Sequence, residues 1–267
     1  MAERAFSITR IPGFGAVAIV TFVLLYTPIV VMVIFSFNGI QSFSRLEGFS
    51  LQWYEAAFAN RAVREAAIRS FWLAAVAGGV ATVIATMAAL ATTRGGRFRG
   101  QTLIYALINQ PLMVPEIVTG IALLIFFAAI KIQTGYQGMG YMIAAHTAFC
   151  IPFAYLPIRA RLETMDLTLE TAAADLYASR WQTFVHVTLP LLVPGIVAGF
   201  MLAFVTSLDT VVITEFVKSA GQETLPTYML GQLRRTITPE MNAIAALFLA
   251  LSVALVTAFF LISRKRG

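Results

Sequence analysis

The chain has 267 residues, 59% of them hydrophobic and only 12% charged. A mean hydropathy of +0.81 lies outside the range of soluble globular domains, which excludes a water-soluble enzyme or binding module and places the chain in a bilayer. The formal net charge is +6, but the basic residues stand in short clusters between apolar runs, as topology signals do, and this excludes a nucleic-acid partner.

A membrane-crossing helix needs roughly 20 largely apolar residues. Windows of that kind lie near 14–37, 70–92, 103–130, 139–159, 187–213 and 242–263, and they predict an all-α membrane protein of about six transmembrane helices. Six spans with short connections form one transmembrane domain over residues 1–267 and leave no room for a soluble catalytic domain.

Arg4 and Arg10 precede the first apolar run, which exceeds the roughly 7–15 residues of a signal-peptide core and is therefore expected to stay as the first span. The stretch Leu51 to Phe71 carries Trp53, Tyr54 and Phe58, with Trp72 just beyond. It reads either as a segment lying at the outer interface or as an ordinary loop with interfacial aromatics.

In the third window Pro111, Pro115 and Gly120 suggest an interrupted helix, and Glu116 lies among them. The fourth holds His146 and Cys150, one helical turn apart and expected to be packing residues, the histidine hydrogen-bonded inside the bundle. Cys150 is the single cysteine, so no intrachain disulfide exists. The two histidines, His146 and His186, are far apart and have no metal-ligand spacing.

Between the fourth and fifth windows runs a polar, helix-prone loop over about 160–190. Asp166 or Thr168 is placed to cap a short helix, on which Leu169, Ala172, Ala173 and Leu176 share one apolar face with small residues at its centre. Such a face suits docking against another protein or packing on its own bundle. Leu189-Pro190 is expected to stop the helical pattern before the fifth span, because proline lacks the amide donor.

The fifth window contains Asp209. A charge at the bilayer centre costs at least roughly 2.5–3.5 kcal/mol unless it is paired or hydrated, so Glu116 and Asp209 are candidates for a hydrated pathway that receives an ammonium group. The alternatives are that Glu116 caps half of a broken helix and that Asp209 pairs with a neighbouring subunit or a backbone amide. After this window, Gly221 to Pro226 either touches a solute-binding protein or folds back on the chain.

Six spans put both termini on one side. The positive-inside rule makes that side cytoplasmic, with Arg94, Arg97, Arg99, Arg159, Arg161, Arg180 and the tail Arg264-Lys265-Arg266. Arg45, Arg61, Arg64, Arg69, Lys131, Lys218, Arg234 and Arg235 fall on the other side, nearly balanced by acids.

The loop resembles the EAA signature of permeases of binding-protein-dependent ABC importers: Glu-Ala-Ala, three residues, Gly, nine residues, Ile, one residue, Leu-Pro. That register falls on Thr171-Ala172-Ala173, Tyr177, Val187 and Leu189-Pro190, with Glu170 one position before the family's glutamate. The family's glycine permits a turn between two short helices. Tyr177 therefore implies either a shifted turn or a tyrosine in the left-handed conformation, and an altered bend is expected there.

Further stretches resemble the spermidine/putrescine type: Arg97-Phe-Arg-Gly100, Pro111 to Gly120, His146 to Cys150, Ser207-Leu-Asp209 with Val211-Val-Ile213, and Thr224-Leu-Pro226. The nearby pattern has a second acid where this chain has Thr210.

The resemblance implies a type I importer permease bundle in the bacterial inner membrane, with the shared core at about 66–260. It also implies a second, homologous permease subunit, two ATPase subunits and a periplasmic solute-binding protein. The loop would be the coupling helix that fits the ATPase, with Glu170, Thr171, Ala172, Ala173, Asp175, Tyr177, Leu189 and Pro190 as coupling residues.

ATP and Mg would be bound by the partner ATPases, because this chain carries no phosphate-cradling G-x-x-x-x-G-K-[ST] motif and is expected to need no cofactor of its own. The expected solute is small and cationic, such as a polyamine, with another small organic solute as the alternative. A proton-coupled secondary transporter would predict internal repeats, which are not seen. An intramembrane enzyme would need an H-E-x-x-H helix or a nucleophile-base pair, and neither is present.

Overall fold

The computed structural model describes residues 14–42, 45–96, 98–234 and 238–264. Of the basic residues that orient the chain, Arg4, Arg10, Arg97, Arg235, Lys265 and Arg266 lie outside them. Among the described residues six helices are long and apolar enough to cross a membrane, as composition predicts. The chain divides into two compact units, Met1–Arg61 with Gln232–Leu251 and Ala62–Gly231 with Ser252–Gly267.

The first unit begins with α1 (Phe14–Phe35), a helix apolar all round with no buried residue. Such a surface belongs against lipid. Its threonines remain compatible with that setting because Thr21 and Thr27 donate their hydroxyls to Val17 O and Val23 O, one turn back.

The turn after α1 is built on Asn38, which is fully buried. Its amide nitrogen donates to Ser42 O (3.0 Å) and Arg45 O (2.7 Å), and its side-chain oxygen accepts from the Glu47 amide (2.9 Å). On α2 (Gln52–Ala59), Trp53 donates its indole N–H to Asn38 O at 2.7 Å and Tyr54 shares a 2.6 Å hydrogen bond with Ser36. These aromatics thus belong to a folded helical cap and not to an irregular loop.

The second unit contains most of α3 (Arg61–Arg94), whose 34 residues extend about 51 Å, well beyond a hydrocarbon core of about 30 Å. Ala66, Ala74, Ala77, Gly78, Ala81, Ala85 and Ala89 form its buried stripe. Small residues there let neighbouring backbones approach.

The third apolar window is two helices, α4 (Gln101–Met113) and α5 (Glu116–Thr134). Val114 is extended (φ −94°, ψ 134°) because the following Pro115 excludes the helical conformation, so the expected interruption is present. Of the two pieces, only α5 is long enough to span.

α6 (Met139–Thr164) contributes Met142, Ala154, Tyr155, Ile158 and Leu162 to the core. A short helix, α7 (Thr168–Asp175), is followed by α8 (Arg180–Thr183), a π-helical segment Phe184–Thr188 and α9 (Leu189–Asp209). The last three form one continuous span, Arg180–Asp209.

Leu189-Pro190 therefore does not stop the helix as expected. Leu189 N bonds Phe184 O in a widened π turn, and Pro190, which has no amide to donate, follows directly on that turn, so the helix passes through the proline.

α6 packs along α9 at Gly199, where a Cβ would stand 2.6 Å from Ala154 O and 3.0 Å from Ile158. The unit continues with α10 (Val212–Val217) and α11 (Leu225–Leu233), while α12 (Pro239–Arg264) runs through both units.

Candidate functional site

Two regions of the second unit carry the residues singled out above. The first is the loop from α6 to α9. The Asp166 carboxylate accepts the Thr168 amide at 2.9 Å, which satisfies a donor at the start of α7 and holds the carboxyl below the usual carboxylate range.

The end of α7 is closed by two bonds, Tyr177 N to Ala174 O (2.9 Å) and Ala178 N to Ala173 O (3.0 Å). This is the Schellman pattern, and it requires a left-handed residue at position 177. Tyr177 supplies it at φ 59°, alone among the described non-glycine residues. Of the two expected alternatives the structure shows the second: the turn is not shifted, and the tyrosine carries the left-handed conformation itself, at a cost of about 1–2 kcal/mol.

A capping box then starts α8: Gln182 N donates to Ser179 Oγ at 3.3 Å and Ser179 N to Gln182 Oε1 at 2.8 Å. The result is two short helices joined by a bend whose every element is stapled locally.

Glu170 faces the chain's own bundle. Its carboxylate lies 3.5 Å from Arg94 Nη2, at the end of α3, and accepts the Thr188 hydroxyl at 3.1 Å. Sequence reasoning missed Arg94 and Thr188 as anchors, although an acid next to the membrane signals the need for a partner.

Thr171, Ala172 and Asp175 are exposed, Ala173 is half-buried, and Leu176 and Tyr177 are 81% and 97% exposed. The apolar face of α7 is thus mostly uncovered. A groove of about 260 Å³ runs beside it, with Ala173 and Leu176 on one side and Gln182, Thr183 and His186 on the other. Leu189 and Pro190 lie in the first turn of α9 and anchor the far end of the loop.

The second region is a pair of helix breaks. Glu116 is the first residue of α5 and Asp209 the last of α9, so neither acid lies in mid-helix as the apolar windows implied. The cause is the extended backbone at Val114-Pro115 and at Thr210 (ψ 113°). Glu116 is half-buried and its Oε1 receives the Ile213 amide at a long 3.5 Å, while Asp209 is exposed.

Glu116 thereby faces the first turn of α10, where a carboxylate is favoured. α5 lies close to α10 because residue 120 is glycine; a Cβ there would stand 2.7 Å from the Phe216 ring.

The second break is held by His146, which is 1% exposed. Its Nδ1 pairs with Ser207 Oγ at 2.8 Å and its Nε2 with Thr214 Oγ1 at 2.9 Å, one partner on each side of the interruption. The expected hydrogen-bonded packing histidine is therefore also a clamp on the α9–α10 break. Cys150 is buried as a free thiol in the same helix.

Toward the start of α3, Glu223 O accepts from Arg69 Nη1 (2.7 Å) and the Leu225 amide donates to Ser70 Oγ (2.7 Å). The Gly221 to Pro226 segment thus folds back on α3.

Among the described residues no group of three or more His, Cys, Asp or Glu could hold a metal ion.

Comparison with known proteins agrees with this architecture. The chain covers 97% of its own length and 98% of the other chain in the crystal structure of a bacterial ABC transporter that imports the acidic polysaccharide alginate, with a TM-score of 0.67 at 14% identity. It also matches the inward-facing MetNI methionine ABC transporter, with a TM-score of 0.61 at 19% identity over 78% of this chain and 99% of that one. Those likenesses establish the fold.

In sequence it is 35% identical over 261 residues to the putrescine transport system permease protein PotI of Escherichia coli, covering 96% of this chain and 93% of that protein. It is 36% identical over 253 residues to the spermidine/putrescine transport system permease protein PotC of Haemophilus influenzae, covering 95% and 97%. Residues 81–266 match the model of the binding-protein-dependent transport system inner membrane component. Six apolar helices, the loop between α6 and α9, and these matches together establish that the chain belongs to that family of inner-membrane transport components.

Proposed function

We propose that this chain is the permease subunit of an ATP-driven importer for a small cationic solute of the polyamine class, and that the loop from α7 to α8 couples it to the ATPase subunits. The observation that carries the coupling reading is the open apolar face of α7 on a bend stapled by its own hydrogen bonds and tied to the bundle through Glu170, Arg94 and Thr188. A rigid loop of this kind transmits a push to α3 and α9, the two helices it grips.

Two ATPase subunits bind and hydrolyse ATP, a second permease chain completes the pathway, and a periplasmic binding protein delivers solute. The loop faces the cytoplasm, as do both termini. ATP binding moves the loop, the helix bundle turns its cavity outward, and hydrolysis returns it inward.

A cationic solute is supported by the names of the relatives and by two acids of this chain. Glu116 and Asp209 stand at helix interruptions, where backbone polar groups and water are tolerated within a membrane protein. Carboxylates at such breaks attract the ammonium groups of a diamine or triamine.

The test is ATP hydrolysis by the whole complex in liposomes, with and without the loaded binding protein. Wild type is expected to be stimulated by loaded protein, and Ala173→Asp is expected to lose stimulation while the complex still assembles. Stimulation that survives Ala173→Asp would show that this loop is not the coupler. With putrescine and spermidine as solutes, Asp209→Asn is expected to raise the uptake KM at least tenfold; an unchanged KM would remove Asp209 from the solute pathway.

A further inference from the structure

The bend between α7 and α8 presents three large apolar side chains to solvent: Leu176, Tyr177 and Trp181, 81%, 97% and 71% exposed. Tyr177 holds φ 59°, a conformation that favours glycine, so backbone energy alone works against a tyrosine at this place. It forms no ring stack or hydrogen bond through its side chain among the described contacts, and its near-complete exposure leaves it no packing role inside the second unit. Strain kept at an exposed aromatic points to a contact made outside the chain.

We propose that Tyr177, flanked by Leu176 and Trp181, is an aromatic knob that determines which ATPase subunit this permease accepts. The inference rests on the coupling reading of the loop and deepens it. The left-handed turn aims the side chain outward at the tip of the bend, where a glycine would leave only backbone. An ATPase paired with this permease must therefore carry an apolar recess for a phenol ring, and an ATPase whose surface is shaped for a bare turn would meet the ring as an obstruction. Tyrosine and tryptophan are the residue types that dominate binding when they fill such recesses, and a ring that also repels the wrong partner provides discrimination.

The surroundings favour a protein occupant over a lipid surface. On the same loop Asp166 and Asp175 are exposed against the single exposed base Arg180, while Arg159 and Glu163 neutralise each other in a 2.7 Å pair. That balance disfavours anionic headgroups.

The experiment uses the complete importer in nanodiscs and three variants. Tyr177→Gly removes the ring and the strain, Tyr177→Ala removes the ring and keeps the strain, and Tyr177→Phe keeps the ring. The expected result is that Gly and Ala both weaken retention of the cognate ATPase at least tenfold on dilution and lower binding-protein-stimulated hydrolysis, while Phe behaves as wild type. The Gly variant should at the same time match or exceed the wild-type Tm, so lost coupling cannot be ascribed to misfolding.

Retention and stimulation unchanged in both Gly and Ala would overturn the proposal. So would loss in Ala but not in Gly, which would assign the effect to the backbone. If phosphatidylglycerol vesicles bind the permease less tightly after Tyr177→Ala while ATPase retention is unchanged, the knob is an interfacial anchor and the proposal fails. A failure here beside a positive Ala173→Asp result leaves the coupling reading intact and removes only the knob; failure of both removes the reading itself.

Discussion

The α6–α9 seam and the α7–α8 loop are neighbours in sequence and opposites in construction. In the seam, Gly199 brings a helix within contact of Ala154 O and Ile158, and Leu162, Leu192 and Ala203 are fully buried. Its order depends on residues 45 positions apart, Ala154 and Gly199. In the loop the bonds are local: Asp166 to Thr168, Tyr177 to Ala174, Ala178 to Ala173, Ser179 with Gln182. Apolar side chains there face out. The contrast teaches how the proposed coupling would work: a loop that keeps its shape by short-range bonds stands beside a seam that keeps its shape by packing, and Glu170 ties the loop to Arg94 at the end of α3 and to Thr188 just before α9.

The largest expected effect is at the seam. Gly199→Leu places a side chain where even a Cβ would approach Ala154 O to 2.6 Å. Overpacking of this kind costs about 1–3 kcal/mol or more, and no single rotamer relieves a contact with backbone. The variant should be recovered poorly from membranes and lose its gel-filtration peak in detergent. A normal peak with an unchanged Tm would mean that the seam is not close-packed and would break the comparison.

His146→Ala comes next. It removes the hydrogen bonds to Ser207 and Thr214 on either side of the α9–α10 break; Thr214 still donates to Thr210 O at 2.8 Å, so the loss falls chiefly on Ser207, and a buried hydrogen bond left unmade costs about 1–3 kcal/mol. A clear fall in Tm is expected, together with a raised KM for putrescine uptake, because the break that ends at Asp209 loses its clamp. A fall in Tm with an unchanged KM would confine the histidine to packing.

Glu170→Ala should act in the opposite proportion. The pair with Arg94 is partly exposed and long at 3.5 Å, so the stability change is expected at about 0–1 kcal/mol, but the loop is unfastened from α3 and from Thr188. Stimulated hydrolysis should fall several-fold with little change in Tm. Equal losses of stability and coupling would show that the loop is part of the packed core, which would erase the distinction.

The smallest effect belongs to Asp166. Its carboxyl titrates below the ordinary carboxylate range because it accepts the Thr168 amide, so its stabilisation of α7 is complete above that ordinary range and is lost as pH falls through the lowered value. Amide exchange at Thr168 should be faster in Asp166→Ala than in wild type at neutral pH, and the difference should close at strongly acid pH. A difference that persists in acid would locate the protection elsewhere.

Much of this was legible before the fold was known, and for physical reasons. Apolar content over a window is a local quantity, so the number of spans and five of their approximate positions followed from it. Proline acts on its immediate neighbour, so the interruption at Pro115 was visible as well. Where a local rule met a longer-range one, reading failed: Pro190 was expected to end a helix, but the π turn at Phe184–Thr188 absorbs it. Glu116 starts α5, which is the expected alternative of an acid at the head of a broken helix, whereas the break that puts Asp209 at the end of α9 has no proline to announce it.

The sequence by itself determined that this chain is a six-span helical membrane protein with a polar, helix-prone loop of small apolar face, because hydrophobicity and helix punctuation act over a few residues. Only the tertiary structure decided that Glu170 turns inward to Arg94 and Thr188, that His146 ties Ser207 to Thr214, and that a tyrosine holds the left-handed turn in place of a glycine. The first two are contacts between residues distant in the chain, and the third is a balance between strain at one residue and hydrogen bonds at its neighbours. Neither is carried by residue type or spacing.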